Sequence, residues 1–222
     1  MTMSKKAKPF LNRRITADNL AAYLRNAYPG CTDIRCILSG EVQTEPLLQK
    51  DFDDRQNCSL TSVTAITYTR LHRMYGEKYA LQGVYDTVKG GTCFLSYHPN
   101  GRGTNPFFIP LIWRHAMKAY RLRGRIRSRY LKNIPLIGYN YAAIRRSIDR
   151  QEPVILNMAG DGRRFYKNHT VTCIGYEAYA FSLPGRQHGE ARFLKVLDNW
   201  SRQISYIDFS RLSPVSSVNF IK

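Results

Sequence analysis

At 222 residues, with 43 % hydrophobic and 12 % aromatic side chains, the chain is long enough to bury a substantial single core and too apolar to remain disordered. Its 34 Lys and Arg stand against 16 Asp and Glu, a formal charge of +18, which attracts nucleic acid, anionic surfaces or acidic partners and says nothing about fold. No stretch approaches the roughly 20 apolar residues of a membrane helix, and the basic start MTMSKKAKPFLNRR has no apolar segment behind it, so the expectation is a cytoplasmic protein with no membrane span.

Thr16 is a candidate N-cap for a helix over 17–27, ahead of the helix-ending YPG. A long helix is predicted over 59–75, where Leu60, Val63, Ile66, Leu71 and Met74 recur close to helical spacing. A shorter helix is predicted over 77–89 and another over 107–120, with Pro110 in its first turn. Between these, GGTCFLSYHPNGRGTNP lacks the form of a nucleotide-binding loop and reads as a mobile surface loop bordering a cleft.

RLRGRIRSRYLK then places Arg121, Arg123, Arg125, Arg127 and Arg129 at alternate positions. On a strand all five would share one face, able to hold phosphates, carboxylates or an acidic peptide, or simply to keep an edge strand soluble. Asn140 can cap a helix through YAAIRRSIDRQ, after which PVILNM, HTVTCIGYEAY, RFLKVLDNW, RQISYID and VSSVNFI read as consecutive strands. A helical front and a strand-rich back predict an α+β fold with an antiparallel sheet. Residues 1–48 are expected to form an N-terminal extension with one helix, and 49–222 the main domain.

The five cysteines, Cys31, Cys36, Cys58, Cys93 and Cys173, are odd in number and contain no CxxC pair, so neither a disulfide framework nor a metal site is expected, and no cofactor. Cys58 differs from the others in its position. It stands where an acidic, polar loop becomes a helix, and a helix N-terminus stabilises a thiolate. His169 opens a predicted strand, where an imidazole is held rigidly enough to take or give a proton. Asp198 ends an apolar strand, and a buried carboxylate there needs a partner such as an imidazole to orient.

Cysteine at a helix start, then histidine in NHTVTCIGYE, then DNW on the next strand resembles the papain-like cysteine peptidases, and in particular the bacterial branch that trims double-glycine leaders. The likeness spans residues 49–207 and includes the helix and strand ahead of the histidine. It implies a papain-like fold, in which a helical lobe carries the catalytic cysteine on a helix N-terminus packed against the sheet. It also implies a Cys58–His169–Asp198 triad acting on a peptide or protein substrate through a thioester. The family's glutamine, six residues before the cysteine, is here Phe52, so Gln56 and Gln49 are the candidates for the oxyanion donor, and Asn199 takes the place of the family's serine. Two other readings stand beside this one. A catalytically inactive basic protein on the same fold would bind nucleic acid or another polyanion. A transglutaminase-like acyltransferase would resolve the thioester with an amine.

Overall fold

A computed structural model describes residues 13–76, 79–101, 103–130, 140–158, 165–213 and 216–222. Helix α1, Ala17–Ala27, starts where Asn19 Oδ1 accepts the Thr16 N–H at 2.9 Å, and buries Leu20, Tyr23 and Leu24. Strand β1, Thr32–Glu41, comes next and was not among the elements expected from sequence. Its side chains are mostly exposed and lack the alternation that marks a half-buried strand.

Helix α2, Cys58–Tyr75, is buried nearly all round over its first turns, where Ser59, Thr61, Ser62, Thr64 and Thr67 lie among the apolar residues. Thr61 and Thr67 donate to the carbonyls one turn back, Asn57 at 3.0 Å and Val63 at 2.8 Å, so a helix rich in hydroxyls can sit inside the protein. Helix α3, Leu81–Gly90, begins later than the sequence suggested, and residues 77–78 of that expectation lie outside the described residues. The short strands β2, Tyr97–His98, and β3, Gly103–Thr104, form a hairpin before helix α4, Ile109–Ala119.

The expected row of five arginines is not one strand. Helix α4 closes with Arg121 in the left-handed region (φ 54), where Arg121 N–H bonds Lys118 O at 3.1 Å and Leu122 N–H bonds Met117 O at 2.8 Å. That Schellman closure commits Arg121 and Leu122 to the helix end. Strand β4, Ile126–Tyr130, starts only afterwards, so of the five only Arg127 and Arg129 lie on it, with Arg125 pairing to Lys222 at its edge.

After helix α5, Asn140–Asp149, come β5, Val154–Met158; β6, His169–Leu183; β7, Arg186–Leu197; β8, Ser205–Asp208; and β9, Ser217–Ile221. Among the described residues seven strands form one sheet in the order β4-β9-β5-β6-β7-β8, with β1 also on β6, and every pair is antiparallel. The α+β class therefore holds. Strand β6 pairs with β5 through Cys173 and with β1 from Gly175 onward, which ties the described part of the expected N-terminal extension into the main sheet.

Helices α2, α3 and α4 cover one face around Trp113, Ile112 and Ile155; α5 covers the other around Ile144, Leu156 and Val171. A third cluster joins α1 to β6 and β7 through Leu24 and Phe193. Among the described residues no helix is long and apolar enough to cross a membrane.

Candidate active site

Two turns set the start of α2. Gln56 adopts the left-handed conformation (φ 52), and the next residue, Asn57, takes the N-cap position, fully buried. Asn57 does not cap the helix with its side chain. Its amide is engaged by Gln49, donating to Gln49 O at 3.1 Å and accepting from Gln49 Nε2 at 3.1 Å. The first N–H groups of α2 therefore have no side-chain cap from Asn57, and the positive end of the helix lies at the turn that carries Cys58.

Strand β6 delivers the other half of the site. His169, its first residue, is buried and stacks on Trp200 with ring centroids 4.2 Å apart. Tyr166 lies parallel at 5.7 Å. His169 Nε2 lies 2.7 Å from the main-chain oxygen of Asp198. A carbonyl can only accept, so Nε2 carries the proton, and Nδ1 is the nitrogen left to the Cys58 thiol. Burial alone would push that thiol up. The hydrogen bond to His169 and the charge of its ring outweigh burial, with the N–H and hydroxyl of Thr170 adding to them, and together they hold Cys58 below its ordinary value. Cys173 has no such partners, and burial pushes it up to about 12.

The role expected of the Asp198 carboxylate is filled by the same residue's backbone. One carboxylate oxygen accepts from Tyr166 OH at 3.0 Å and Ser205 Oγ at 2.9 Å and forms an ion pair with Arg14, whose Nε lies 2.8 Å away. The other accepts the Trp200 and Ser201 N–H groups, each at 3.1 Å. The carboxylate thus shapes the turn, and the turn presents its carbonyl to the imidazole and Trp200 to the ring face. A sequence pattern reveals an acid before Asn-Trp but not which of its oxygens faces the histidine. Arg14, Tyr166 and Ser205, the ligands of that carboxylate, carried no sequence signal, being scattered over 191 residues.

Asn199, left-handed at φ 62, clamps the two halves together. Its Nδ2 donates to Cys58 O at 3.1 Å, Ser62 Oγ at 2.9 Å and Thr170 O at 3.1 Å. Gln49 sits one hydrogen bond from the N-cap, whereas Gln56 is exposed, with its backbone against Gly103. Phe52, in the family's glutamine position, is core, stacked on Tyr85 at 3.9 Å.

Behind the cysteine turn, Asp54 accepts from Tyr97 at 2.7 Å and Tyr85 at 3.0 Å and pairs with Lys89 at 2.7 Å. Tyr97 also donates to Arg55 O at 2.5 Å, and Gly103 (φ 71) is so close that a Cβ there would lie 2.7 Å from Gln56 O. The glycine-rich loop thus borders the cysteine turn. Cys93 in that loop is exposed, as is Cys36, while Cys31 is buried; all five cysteines are free. His72, His115 and His188 are exposed, and among the described residues no three metal-ligating side chains converge.

A polar file leads away from the site across the sheet. Ser59 Oγ donates to Thr170 Oγ1 at 2.8 Å, and Thr170 Oγ1 donates to Asn157 Oδ1 at 3.0 Å. Asn157 Nδ2 then donates to Asn219 Oδ1 at 2.7 Å, and Asn219 Nδ2 to Ser128 Oγ at 2.7 Å. Compared with known proteins, the chain matches no family model and no curated protein.

Proposed function

We propose that the protein is a cysteine peptidase or amidase of the papain-like type. The observation that carries this reading is one arrangement: a thiol at an uncapped helix N-terminus, held below its ordinary value against burial by a neighbouring imidazole whose Nε2 is fixed on Asp198 O. The papain-like fold belongs to the same proposal, supported by a cysteine helix laid against an antiparallel sheet whose strand β6 begins at the histidine.

In this reading the Cys58 thiolate attacks the carbonyl carbon of an amide, and the carbonyl electrons move to oxygen. The oxyanion meets the Cys58 N–H at the start of α2, with Gln49, one hydrogen bond from the N-cap residue, as the side-chain donor. Its collapse breaks the C–N bond, and the departing amine takes its proton from His169 Nδ1. A thioester remains. Water, losing a proton to Nδ1, attacks the thioester carbonyl, and the C–S bond breaks to release the acid and restore the Cys58 thiolate. Asp198 touches no reacting atom here; it positions the imidazole.

The test is iodoacetamide labelling of Cys58 against pH, followed by mass spectrometry, together with turnover of a fluorogenic peptide pool. Labelling below about pH 7 that collapses in His169→Ala, with turnover lost in Cys58→Ala, is the expected result. Labelling that rises only near about pH 8.5 in both proteins overturns the reading.

A further inference from the structure

Two adjoining cavities lie at the β4 edge of the sheet. One, of about 520 Å³, is lined by Arg114 on α4 and by Arg125, Arg127 and Lys222. The other, of about 260 Å³, shares Arg127 and Lys222 and adds Arg146 from α5 and Arg150 just after it. Among the described residues none of these six cations forms an ion pair; the pairs that exist use other side chains. All six are exposed. Among the described residues the one carboxylate in the lining is Glu152, whose Oε2 is buried without a hydrogen-bond partner and which interacts at longer range with the charge of Arg70, so the six cations outweigh it. This cluster is not part of the cysteine site. Arg127 stands opposite Phe220, which stands opposite Val154 and so Cys173, four residues along β6 from His169. That places it about 13 Å along the strands and about 14 Å across them from the imidazole.

We infer that the Arg114–Arg127–Arg150 groove is a second site, which binds the phosphodiester backbone of duplex nucleic acid. Helix α4 lies on one face of the sheet and α5 on the other, so the groove presents cations on both sides of the edge strand. A ligand that satisfies both sides must carry charge on successive units. A phosphodiester does so whatever its sequence; a peptide does so only as an unbroken acidic run. Five of the six cations are guanidinium groups, whose planar fork matches phosphate. Among the described residues the one aromatic in the lining, Phe220, is buried in the core, so the described lining offers no platform for stacking splayed bases, and a duplex fits it better than a single strand. The net charge of +18 supplies the steering field.

Fluorescence anisotropy of a labelled 20-base-pair duplex, titrated at several salt concentrations, tests this. The proteins compared are wild type, the triple variant Arg125→Gln/Arg127→Gln/Arg150→Gln, and a control, Arg25→Gln/Arg35→Gln, that removes charge from α1 and β1. Because each lost phosphate contact lowers the log–log salt slope by about one, the triple variant should lose two to three and the control none. Equal losses in both variants would mean diffuse charge and overturn the site. Binding of a 12-residue polyglutamate as tightly as the duplex at the same ionic strength would overturn the nucleic-acid assignment, as would complete displacement of the duplex by equimolar triphosphate. Repeating the titration with Cys58→Ala separates this outcome from that of the peptidase reading, since the two sites share no residue.

Discussion

The Arg14 guanidinium lies 2.8 Å from the buried Asp198 carboxylate and also donates to Ser205 Oγ at 2.6 Å and Gln203 O at 2.9 Å. It reaches them because Ile15 O accepts the Tyr206 N–H at 2.8 Å, adding the start of the described chain to the edge of β8. A segment that reads as a mere extension in sequence thus holds the turn that holds the histidine.

Replacing Arg14 by Met should leave Asp198 charged and enclosed with its strongest partner gone. The expected loss of unfolding free energy is about 3 kcal/mol, the low end for stripping one member from a buried pair, because Arg14 keeps some contact with solvent. Asp198→Asn in the same background should recover part of it. Urea denaturation across the double-mutant cycle measures the coupling; strictly additive losses would refute it.

The pH at which Cys58 alkylates should move upward in His169→Ala, to about 8.5 or beyond, since burial is then unopposed by the imidazole. Thr170→Val removes a lesser contributor, a hydroxyl that also links Ser59 to Asn157, and should move it in the same direction by less. Mass-spectrometric labelling profiles distinguish the two, and an unchanged profile in His169→Ala would break the pairing.

Gln49→Ala should separate the two demands on the helix N-terminus. If its amide meets the oxyanion, turnover falls by about 10²–10³ in kcat, while alkylation, which develops no oxyanion, is little changed. A matching fall in both would instead assign Gln49 to holding the Asn57 turn.

Asp54→Asn tests the support behind that turn. Burial would raise the Asp54 carboxyl, but Lys89, Tyr97, Tyr85 and the Arg55 N–H outweigh it and hold it below its ordinary value. A depressed carboxylate stabilises the fold above its unfolded value of about 3.9, and that contribution is lost as pH falls through the folded value. The variant should therefore be less stable by about 1–3 kcal/mol near neutrality, with the gap from wild type closing below about pH 4. Denaturation midpoints at the two pH values give the answer; a gap of constant size would remove Asp54 from the account.

The helices were legible because their apolar residues recur near 3.6, and the back-half strands because short apolar runs such as VILNM are bounded by Gly, Pro or polar breaks. Strand β1 was not, since its exposed side chains leave no such periodicity and its place is set by pairing with β6. The cysteine and histidine were legible from their neighbours, because an amphipathic helix begins at one and an apolar strand at the other. The function of Asp198 was half legible. Its position was visible, but whether backbone or carboxylate faces the ring depends on Arg14, Tyr166 and Ser205, which only the folded chain brings together. The arginine row failed because alternation alone ignores the helix closure at Arg121.

Three of the bonds that build the cysteine site close long loops: 111 residues from Ser59 to Thr170, 141 from Cys58 to Asn199, 191 from Arg14 to Ser205. Loop-closure entropy must be met before such contacts return any free energy, so a chain of this contact order folds slowly and assembles this region late. A nascent chain whose synthesis has passed α2 but not β7 and β8 displays the thiol without the acceptor that orients its imidazole or the amide that clamps its helix. On the proposed reading such a chain would hold its thiol dormant until the fold is finished, and partly made chains would be spared its chemistry by topology alone.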